Sequence, residues 1–284
     1  MPGTLFVVST PIGNLGDLTH RAVEVLRTVD VVACEDTRTT RVLLDHYDVR
    51  TRTVALHAHS TEAEVEGLVE RLDAGASIAL VSDAGTPLLS DPGGTLVAEA
   101  VARGHAVVPI PGASALLAAL VGSGVDVTRF TFLGFLPRSE AQQLELLAPL
   151  RTFPGAVALY ESPRRVGETL ALLARALGGG RGAVVARELT KRFESFERGT
   201  LAALEARDWA ETRGEIVVVV APPSGEDLAA TAAGTVDMAA EIRRLRAEGV
   251  GAAEISRILA AAHGRTRREV YREVLEVLKG TEPA

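Results

Sequence analysis

The sequence predicts an α/β protein of two α/β domains followed by a C-terminal helical segment. A length of 284 residues is enough for two domains that each bury a core. In the first half, short β-branched runs alternate with amphipathic stretches, which is the pattern of βαβ units with a mostly parallel sheet. After Val236 the pattern is helical only. The predicted boundaries are 1–125, 126–224 and 236–284.

In the N-terminal domain, strands are expected to alternate with helices. An Asp and a Thr at the start of the first helix, and Ser60 and Thr61 before the third, are typical N-cap residues. The predicted strands are Leu5–Ser9, Val29–Cys34, Val54–His57, Ile78–Ser82 and Val107–Ile110. The predicted helices are Leu18–Thr28, Arg38–His46, Glu62–Asp73, Gly94–Arg103 and Ala113–Gly122.

The second domain is predicted to have a mixed sheet, and a linker follows it from Pro222. Its predicted strands are Phe130–Phe135, Ala156–Tyr160, Ala183–Arg187, Arg192–Glu197 and Glu215–Ala221. Its helices are expected near Ser139–Leu150, Arg165–Leu177 and Leu201–Arg207. The C-terminal helices are predicted at Val236–Glu248, Ala252–His263 and Thr266–Leu278.

Composition excludes several classes of protein. A single cysteine, Cys34, cannot form a disulfide within the chain, and it is expected to be a small buried hydrophobe. The longest apolar run, Ala113 to Val125, is shorter than the roughly 20 residues that span a bilayer. The N-terminus lacks the features of a signal peptide, so we expect a cytoplasmic protein with no membrane partner. A net charge of -7 argues at first sight against nucleic acid as a partner.

Three loops that follow predicted strands carry the first functional signal. Each combines Gly and Pro with small hydroxyl residues, so the backbone can approach a ligand closely. In an open α/β sheet, ligands bind outside the carboxyl ends of the strands. No Gly-x-Gly-x-x-Gly follows the first strand, so a dinucleotide fingerprint is missing. Either these are ordinary βα turns or they form a pocket. The loops are Ser9 to Thr19, Ser82 to Gly93 and Pro109 to Ser114.

A series of motifs resembles one family along almost the whole chain. The motifs are Thr10-Pro-Ile-Gly-Asn-Leu, Glu35-Asp-Thr-Arg, Ser82-Asp-Ala-Gly-Thr-Pro, Pro111-Gly-Ala-Ser, Gly134-Phe-Leu-Pro, Tyr160-Glu-Ser-Pro-Arg-Arg, Arg187-Glu-Leu-Thr-Lys and Gly214-Glu. Together they resemble the ribosomal small-subunit RNA 2′-O-methyltransferase I family of the tetrapyrrole (corrin/porphyrin) methylase superfamily. The resemblance implies S-adenosylmethionine-dependent methylation of a cytidine 2′-hydroxyl in the decoding region of 16S rRNA. It also implies a homodimer, and two α/β domains with the cofactor in the cleft between them.

The resemblance also assigns residues to the cofactor. Asp83, Ala84, Gly85 and Thr86 would cradle the methionine part of S-adenosylmethionine. The backbone of Pro111, Gly112 and Ser114 would edge the adenosine. Pro11 would line the cleft beside the cofactor, and Asn14 would lie toward the acceptor.

Methyl transfer to a ribose hydroxyl requires alignment of donor and acceptor and is helped by a base that takes the hydroxyl proton. Glu35, Asp36, Arg38, Glu188 and Lys191 are the expected substrate-side residues, and the identity of the base is open. Glu35 and Asp36 could instead cap the following helix. Glu188 and Lys191 could instead form a surface ion pair.

The C-terminal helices have the opposite charge to the rest of the chain. From Glu241 to Lys279 there are nine Lys or Arg against six acids, although the whole chain is acidic. The last two predicted helices resemble a helix-turn-helix pair. Arg265, Arg267 and Arg268 open the second helix, where they would grip rRNA phosphate. The alternative is a solvated helical appendage.

Two further functions and a metal site remain as alternatives. Because fold does not fix substrate, the chain could methylate a tetrapyrrole or another small molecule. It could also be a non-catalytic RNA-binding factor in ribosome assembly. His57 and His59 are spaced to reach one ion, but no cysteine or third histidine lies nearby in sequence, so we expect no metal.

Overall fold

The computed structural model describes residues 3–57, 59–232, 238–263 and 265–279. The chain forms two compact units. The first consists of Met1–Ala118 together with Glu188–Glu194, and the second consists of Ala119–Arg187 together with Ser195–Ala284. Among the described residues, no helix is both long and apolar enough to cross a membrane.

The first unit contains a parallel sheet of five strands in the order β3-β2-β4-β1-β5. The predicted elements are confirmed to within a few residues, and Thr19 and Thr61 cap α1 and α3. The strands are β1 (Thr4–Val8), β2 (Val31–Cys34), β3 (Thr53–Ala55), β4 (Ser77–Val81) and β5 (Ala106–Ile110). The helices are α1 (His20–Thr28), α2 (Thr37–His46), α3 (Glu62–Asp73), α4 (Gly94–Ala102) and α5 (Ala115–Ser123), which continues into the second unit.

Both faces of this sheet are covered, as expected for βαβ units. Leu26 of α1 and Leu44 of α2 pack with Val32 in a cluster on one face. Leu68 of α3 and Leu96 of α4 belong to a separate cluster. Burial of one such side chain stabilises the fold by about 1.5–3 kcal/mol. The two covered faces leave the strand ends as the part of the sheet that is open to a ligand.

The second unit contains a mixed sheet in the order β6-β7-β10-β8-β9, in which β6 and β7 are parallel and the other neighbours are antiparallel. The predicted mixed sheet is confirmed. Its strands are β6 (Phe130–Phe135), β7 (Ala156–Glu161), β8 (Gly182–Arg187), β9 (Ser195–Thr200) and β10 (Ile216–Val220). Its first helices are α6 (Glu140–Leu147), α7 (Val166–Leu177) and α8 (Leu201–Glu205).

The C-terminal helices share the core of the second unit. Ile242, Ile255, Leu259 and Val274 are fully buried in one cluster with Leu147 of α6. Residues 236–284 were predicted as a separate segment, whereas contacts group the C-terminal helices with the second sheet. One helix lies where only a linker was expected. The helices are α9 (Gly225–Ala232), α10 (Met238–Ala247), α11 (Ala252–His263) and α12 (Arg267–Lys279).

Candidate active site

The loops after β1, β4 and β5 leave the first sheet at the same level. Val8, the last residue of β1, lies opposite Val81 of β4 and Ile110 of β5. Because the strands are parallel, their carboxyl ends point the same way and the loops emerge side by side. The expectation that these loops share one edge is confirmed.

Hydrogen bonds tie the three loops together. The backbone N–H of Thr10 donates to the carbonyl of Gly85 (2.8 Å), and the N–H of Gly85 donates to the carbonyl of Thr10 (3.1 Å). The Ser82 hydroxyl donates to the same Gly85 carbonyl (2.8 Å), and the Thr86 hydroxyl donates to the Ala113 carbonyl (3.2 Å). Backbone groups and small hydroxyl side chains of these motifs therefore fix the three loops to one another.

Gly112 allows the loop after β5 to pass close to the loop after β1. A Cβ atom at Gly112 would lie 2.8 Å from the Cβ of Ser9, closer than real Cβ atoms approach. Any larger residue would push the two loops apart. Pro111 and Gly112 are both exposed.

The residues predicted to bind the cofactor lie in these three loops, and they differ in exposure. Pro11, Gly85 and Ser114 are buried, Asp83 and Thr86 are half-buried, and Ala84, Pro111 and Gly112 are exposed. The edge therefore combines buried hydroxyl groups with backbone that solvent can reach.

Asp36 caps α2, which was the alternative expected for it. Its Oδ1 accepts from the backbone N–H of Arg38 (2.8 Å), and its Oδ2 accepts from the Arg38 guanidinium (2.7 Å). The hydrogen bonds from Arg38 hold the pKa of Asp36 at about 2. The backbone N–H of Asp36 donates to Oδ1 of Asp83 (3.1 Å), which ties the loop after β2 to the loop after β4. Glu35, one residue earlier, is half-buried.

Asp91 is a feature of this edge that the sequence analysis missed. Burial, together with the charges of Glu35 and Asp83, raises the pKa of the Asp91 carboxyl to about 6. A carboxyl with a perturbed pKa in a loop at a strand end is a functional-site candidate. The available signal was a second acid in the same glycine-containing loop as Asp83.

Left-handed backbone at non-glycine residues is concentrated in two loops of the first unit. Leu88 (φ 74°) and Ser90 (φ 71°) lie in the loop after β4. Glu188 (φ 52°) and Thr190 (φ 67°) lie in the loop that joins β8 to β9. Each such residue costs on the order of 1–3 kcal/mol and persists only where the surroundings hold it. Asp48 is the other such residue in the described chain.

The loop Glu188–Glu194 belongs to the first unit, although it joins two strands of the second sheet. Lys191 Nζ lies 2.9 Å from Glu188 Oε1, and the two side chains are 27% and 18% exposed. The two residues thus form the ion pair that was the alternative for them, and it is partly buried. The backbone N–H of Thr190 donates to Oε2 of Glu194 (2.6 Å), which closes the loop.

Lys191 and the loop after β1 lie against each other. A Cβ atom at Gly13, where φ is +137°, would lie 2.5 Å from both Cγ and Cε of Lys191. Glycine is therefore required here for both backbone conformation and space. The neighbouring Asn14 is exposed, and its Oδ1 accepts from the N–H of Gly16 (3.1 Å). The structure thus brings Lys191 and Glu188 to the loop that carries Asn14.

Both helices of the predicted helix-turn-helix pair, α11 and α12, are present in the second unit and pack against each other. Thr266 directly precedes α12. The backbone N–H of Thr266 donates to Oε2 of Glu269 (3.1 Å), while the N–H of Glu269 donates to the Thr266 hydroxyl (3.4 Å). This reciprocal arrangement is a capping box.

The three arginines predicted to contact RNA differ in their surroundings. Arg265 Nη1 lies 2.7 Å from Oε2 of Glu273, so its charge is partly neutralised. Arg267 donates to the Ala253 carbonyl at 3.5 Å, and both Arg267 and Arg268 are exposed.

The described residues contain no group of three or more His, Cys, Asp or Glu side chains that could hold a metal ion. The rings of His57 and His59 are 6.5 Å apart. Cys34 is fully buried, as expected, and burial raises the pKa of its thiol.

Comparisons with known proteins identify the family. Residues 4–205 match the family Tetrapyrrole (Corrin/Porphyrin) Methylases. A protein of Mesorhizobium japonicum named ribosomal RNA small subunit methyltransferase I is 46% identical, over 96% of this chain and 92% of its own length. A protein of the same name from Synechocystis sp. is 44% identical, over 97% of this chain and 98% of its own. The chain belongs to the ribosomal RNA small subunit methyltransferase I family. This confirms the family and the S-adenosylmethionine dependence expected from the sequence.

Solved structures share the fold of this methyltransferase at low sequence identity. A diphthine synthase matches with a TM-score of 0.61 and 20% identity, over 77% of this chain and 90% of its own. The uroporphyrin-III C-methyl transferase of Thermus thermophilus, complexed with S-adenyl homocysteine, matches with a TM-score of 0.54 and 18% identity, over 77% and 97%. These likenesses confirm the predicted fold class.

The edge of the first sheet that is formed by the loops after its strands, which we call the loop edge, has charges and exposed residues that fit S-adenosylmethionine. The cofactor carries a positive sulfonium and an ammonium group, and opposite charges within a few ångströms favour each other's ionised forms. Asp83 and Glu35 lie close enough to Asp91 to raise its pKa, so the edge is anionic. The exposed backbone at Gly112, where a Cβ has no room, is open to a flat ligand.

Proposed function

We propose that this methyltransferase transfers a methyl group from S-adenosylmethionine to the 2′-hydroxyl of a cytidine in the decoding region of 16S rRNA. The observation that carries the proposal is the identity of 44–46% with proteins named ribosomal RNA small subunit methyltransferase I over nearly the whole chain. The resemblance of the motifs supports the more specific parts of the proposal, namely the cytidine, its 2′-hydroxyl and the decoding region of 16S rRNA. A small-molecule substrate has no comparable support, because the tetrapyrrole methylases of known structure are only 17–18% identical.

In the proposed site, the loops after β1, β4 and β5 bind the cofactor. Asp83 and the backbone of Ala84, Gly85 and Thr86 hold the methionine part, and the Asp83 carboxylate pairs with its ammonium group. The exposed backbone of Pro111 and Gly112 supports the adenosine, with Ser114 buried beneath it. Pro11 packs beside the same ligand. The reciprocal hydrogen bonds between Thr10 and Gly85 support this assignment because they fix the loops before a ligand arrives.

Bound S-adenosylmethionine supplies an electrophilic methyl group on a positively charged sulfur. The ribose oxygen forms the new C–O bond as the C–S bond breaks, and the hydroxyl proton moves to a carboxylate. Asp36 is a poor acceptor, because the hydrogen bonds from Arg38 hold its pKa at about 2. We therefore assign the proton to Glu35 or Glu188.

The remaining predicted residues position the acceptor. Lys191 lies against Gly13 and beside Glu188, where its ammonium group can orient that carboxylate. Arg38 has an 89% exposed side chain and Asn14 is exposed, so both are free to contact the nucleotide that carries the hydroxyl. Arg265, Arg267 and Arg268 contact rRNA phosphate away from the chemistry.

The test uses 30S subunits that lack the modification, incubated with the full chain and methyl-labelled S-adenosylmethionine. Nucleoside digestion followed by mass spectrometry is expected to show 2′-O-methylcytidine in a decoding-region fragment. A label on a base, or no label in rRNA despite bound cofactor, would overturn the proposal. Glu35→Gln and Glu188→Gln then identify the base, since the variant that lacks it loses about 10²–10⁴-fold in rate. Retained activity in both variants would exclude both carboxylates.

The proposed setting is the cytoplasm, where small subunits are assembled, and the proposed assembly is a homodimer. The resemblance of the motifs supports the homodimer. Sedimentation equilibrium of the purified chain tests this, and a monomer at micromolar concentration would contradict it.

A further inference from the structure

The last helix, α12, has three distinct sides. Val270 and Val274 are fully buried in the core of the second unit. At 3.6 residues per turn, positions 268, 272, 275 and 279 fall within about 60° of one another around the helix axis, and position 271 lies about 40° beyond them. All five of their side chains are exposed, including Tyr271 at 41% and Leu275 at 37%. We call this set the outer face of α12: Arg268, Tyr271, Arg272, Leu275 and Lys279.

The acidic side chains of α12 lie on a different side, and two of them have partners within the protein. Glu269 accepts hydrogen bonds from Thr266 in the capping box, which lowers its pKa. Glu273 is paired with Arg265. The outer face itself presents three cations and no acid, and the charge of Arg272 also lowers the pKa of the adjacent Glu269.

We propose that the outer face of α12 binds the sugar-phosphate backbone of RNA at a distance from the methylated nucleotide. The proposal rests on the proposed function, because it assumes an RNA substrate. It extends the RNA contact from the turn, where Arg265, Arg267 and Arg268 were predicted, to a face along the whole length of the helix. Tyr271, Arg272 and Lys279 then join the binding residues, while Arg265, whose charge Glu273 offsets, contributes less.

The chemistry of this face favours RNA. Cations along one side of a helix match the regular spacing of phosphates, and such contacts provide affinity without sequence specificity. Tyr271 offers an aromatic ring on which an unpaired base can stack, as is common in RNA recognition. The matched tetrapyrrole methylase region ends at residue 205, before this helix, whereas relatives named rRNA methyltransferase match 96–97% of the chain. The helix thus lies outside the part of the chain that the tetrapyrrole methylase family model matches.

The test measures the affinity of the full chain for a decoding-region RNA fragment across a range of KCl concentrations. The variant is the triple substitution Arg268→Gln, Arg272→Gln and Lys279→Gln. The control is Arg21→Gln, Arg52→Gln and Arg71→Gln, which removes the same charge from exposed positions of the first unit. Loss of three phosphate contacts should weaken binding at least about tenfold and lower the slope of log K against log [salt] by about 2–3. The control should leave that slope within about 1 of the wild type.

Tyr271→Ala and Tyr271→Phe separate stacking from hydrogen bonding. Stacking on an unpaired base predicts a loss of roughly 5- to 150-fold for alanine and little change for phenylalanine. S-adenosylmethionine affinity, measured by calorimetry, should be unchanged in all variants.

An unchanged salt slope in the triple variant, with wild-type methylation of 30S subunits, would overturn this proposal and leave the proposed function intact. Failure of the wild type to methylate 30S subunits would instead overturn the proposed function. A triple variant that changes sedimentation but not RNA affinity would also overturn the proposal, because a second copy would then occupy this face.

Discussion

The loop edge of the first unit and the C-terminal helices of the second hold charged groups in opposite ways. At the loop edge, the carboxyl groups of Glu35, Asp83 and Asp91 lie close enough to repel one another. The loop that carries Asp83 and Asp91 also has left-handed backbone at Leu88 and Ser90. In α12, cations project from regular helical turns whose other side is buried in an ordinary apolar core. The first region concentrates backbone strain and repulsion near the proposed chemistry, while the second keeps its charges at little cost.

This difference explains why the net charge of -7 was a poor guide to the partner. An anionic edge suits a small cationic cofactor, and a cationic helix suits a polyanion, so each region matches its own ligand. The sum of the two describes neither. We therefore expect the C-terminal helices to be destabilised most by truncation of buried apolar side chains. We expect the loop edge to be disturbed most by a side chain added where two loops approach closely.

The largest effect on stability is expected from Leu259→Ala, which tests whether the C-terminal helices are part of the core. Leu259 is fully buried in α11, so truncation leaves a cavity and should reduce the free energy of unfolding by about 2–5 kcal/mol. Urea denaturation followed by circular dichroism measures the loss. Leu146→Ala, at a 37% exposed position of α6, is the control and should cost less than about 1 kcal/mol. Equal effects of the two substitutions would mean that the helices are a loosely attached appendage.

The next effect is expected at the loop edge, from Gly112→Val. A Cβ at this position meets the Cβ of Ser9 at 2.8 Å, so the loops after β1 and β5 must separate. Such overpacking typically costs 1–3 kcal/mol, and the same distortion should weaken S-adenosylmethionine binding by about 10- to 100-fold in calorimetry.

Gly67→Ala is the matched control for this prediction. Gly67 lies inside α3, and a Cβ there would meet nothing within 4 Å. Alanine should therefore stabilise the protein by about 0.5–1 kcal/mol and leave cofactor affinity unchanged. Wild-type cofactor affinity in Gly112→Val would show that the loop edge tolerates displacement and does not hold the ligand.

Much of this organisation could be predicted from the sequence. Hydrophobic periodicity located nearly all strands and helices, and the three loops were correctly predicted to share one edge of the first sheet. The capping role of Asp36 was foreseen only as an alternative, because a carboxylate before a helix can cap it or face a ligand. The helix Gly225–Ala232 was missed because Pro222 and Pro223 read as the start of a linker.

Contacts between residues distant in the chain could not be predicted. Arg181 reads as part of a glycine-rich loop, yet its guanidinium is buried and donates to the carbonyls of Leu150, Gly155 and Ala221. The packing of Lys191 against Gly13 joins residues far apart in sequence, as does the repulsion between Asp91 and Glu35. Each depends on the fold, and no local pattern encodes it.

A smaller effect, on pH dependence, is expected from Asp91→Asn. The pKa of Asp91 is raised from 3.8 to about 6, so the folded protein holds this proton more tightly than the unfolded chain does. The stability from the neutral carboxyl is fully present below about pH 4 and is lost as pH rises through about 6. With asparagine this loss should disappear, making the variant about 1–2 kcal/mol more stable than the wild type above pH 7. Urea denaturation at pH 5 and pH 7.5 measures the change.

Asp30→Asn is the contrast for this pH prediction, because hydrogen bonds from Ser77 lower the pKa of Asp30. Its stabilisation is present above the ordinary pKa of 3.8 and is lost as pH falls, so the variant should be less stable than the wild type near neutral pH. If the free energy of unfolding depends on pH in the same way in Asp91→Asn and the wild type, Asp91 is not repelled by Glu35 and Asp83. Weaker binding of S-adenosylmethionine by Asp91→Asn above pH 6 would show that this repulsion serves the cofactor.

The smallest effect is expected from Arg265→Gln, which tests the claim that the C-terminal helices hold their charges at little cost. Arg265 and Glu273 are both partly exposed, with side chains 41% and 34% accessible, so their pair is screened by solvent. Its loss should lower the free energy of unfolding by about 0.2–1 kcal/mol. Because Glu273 already offsets this charge, Arg265→Gln should weaken RNA binding less than Arg268→Gln does, as measured by filter binding in the same buffer. If Arg265→Gln is instead the more damaging of the two, the turn contacts RNA and the pair with Glu273 opens when RNA binds.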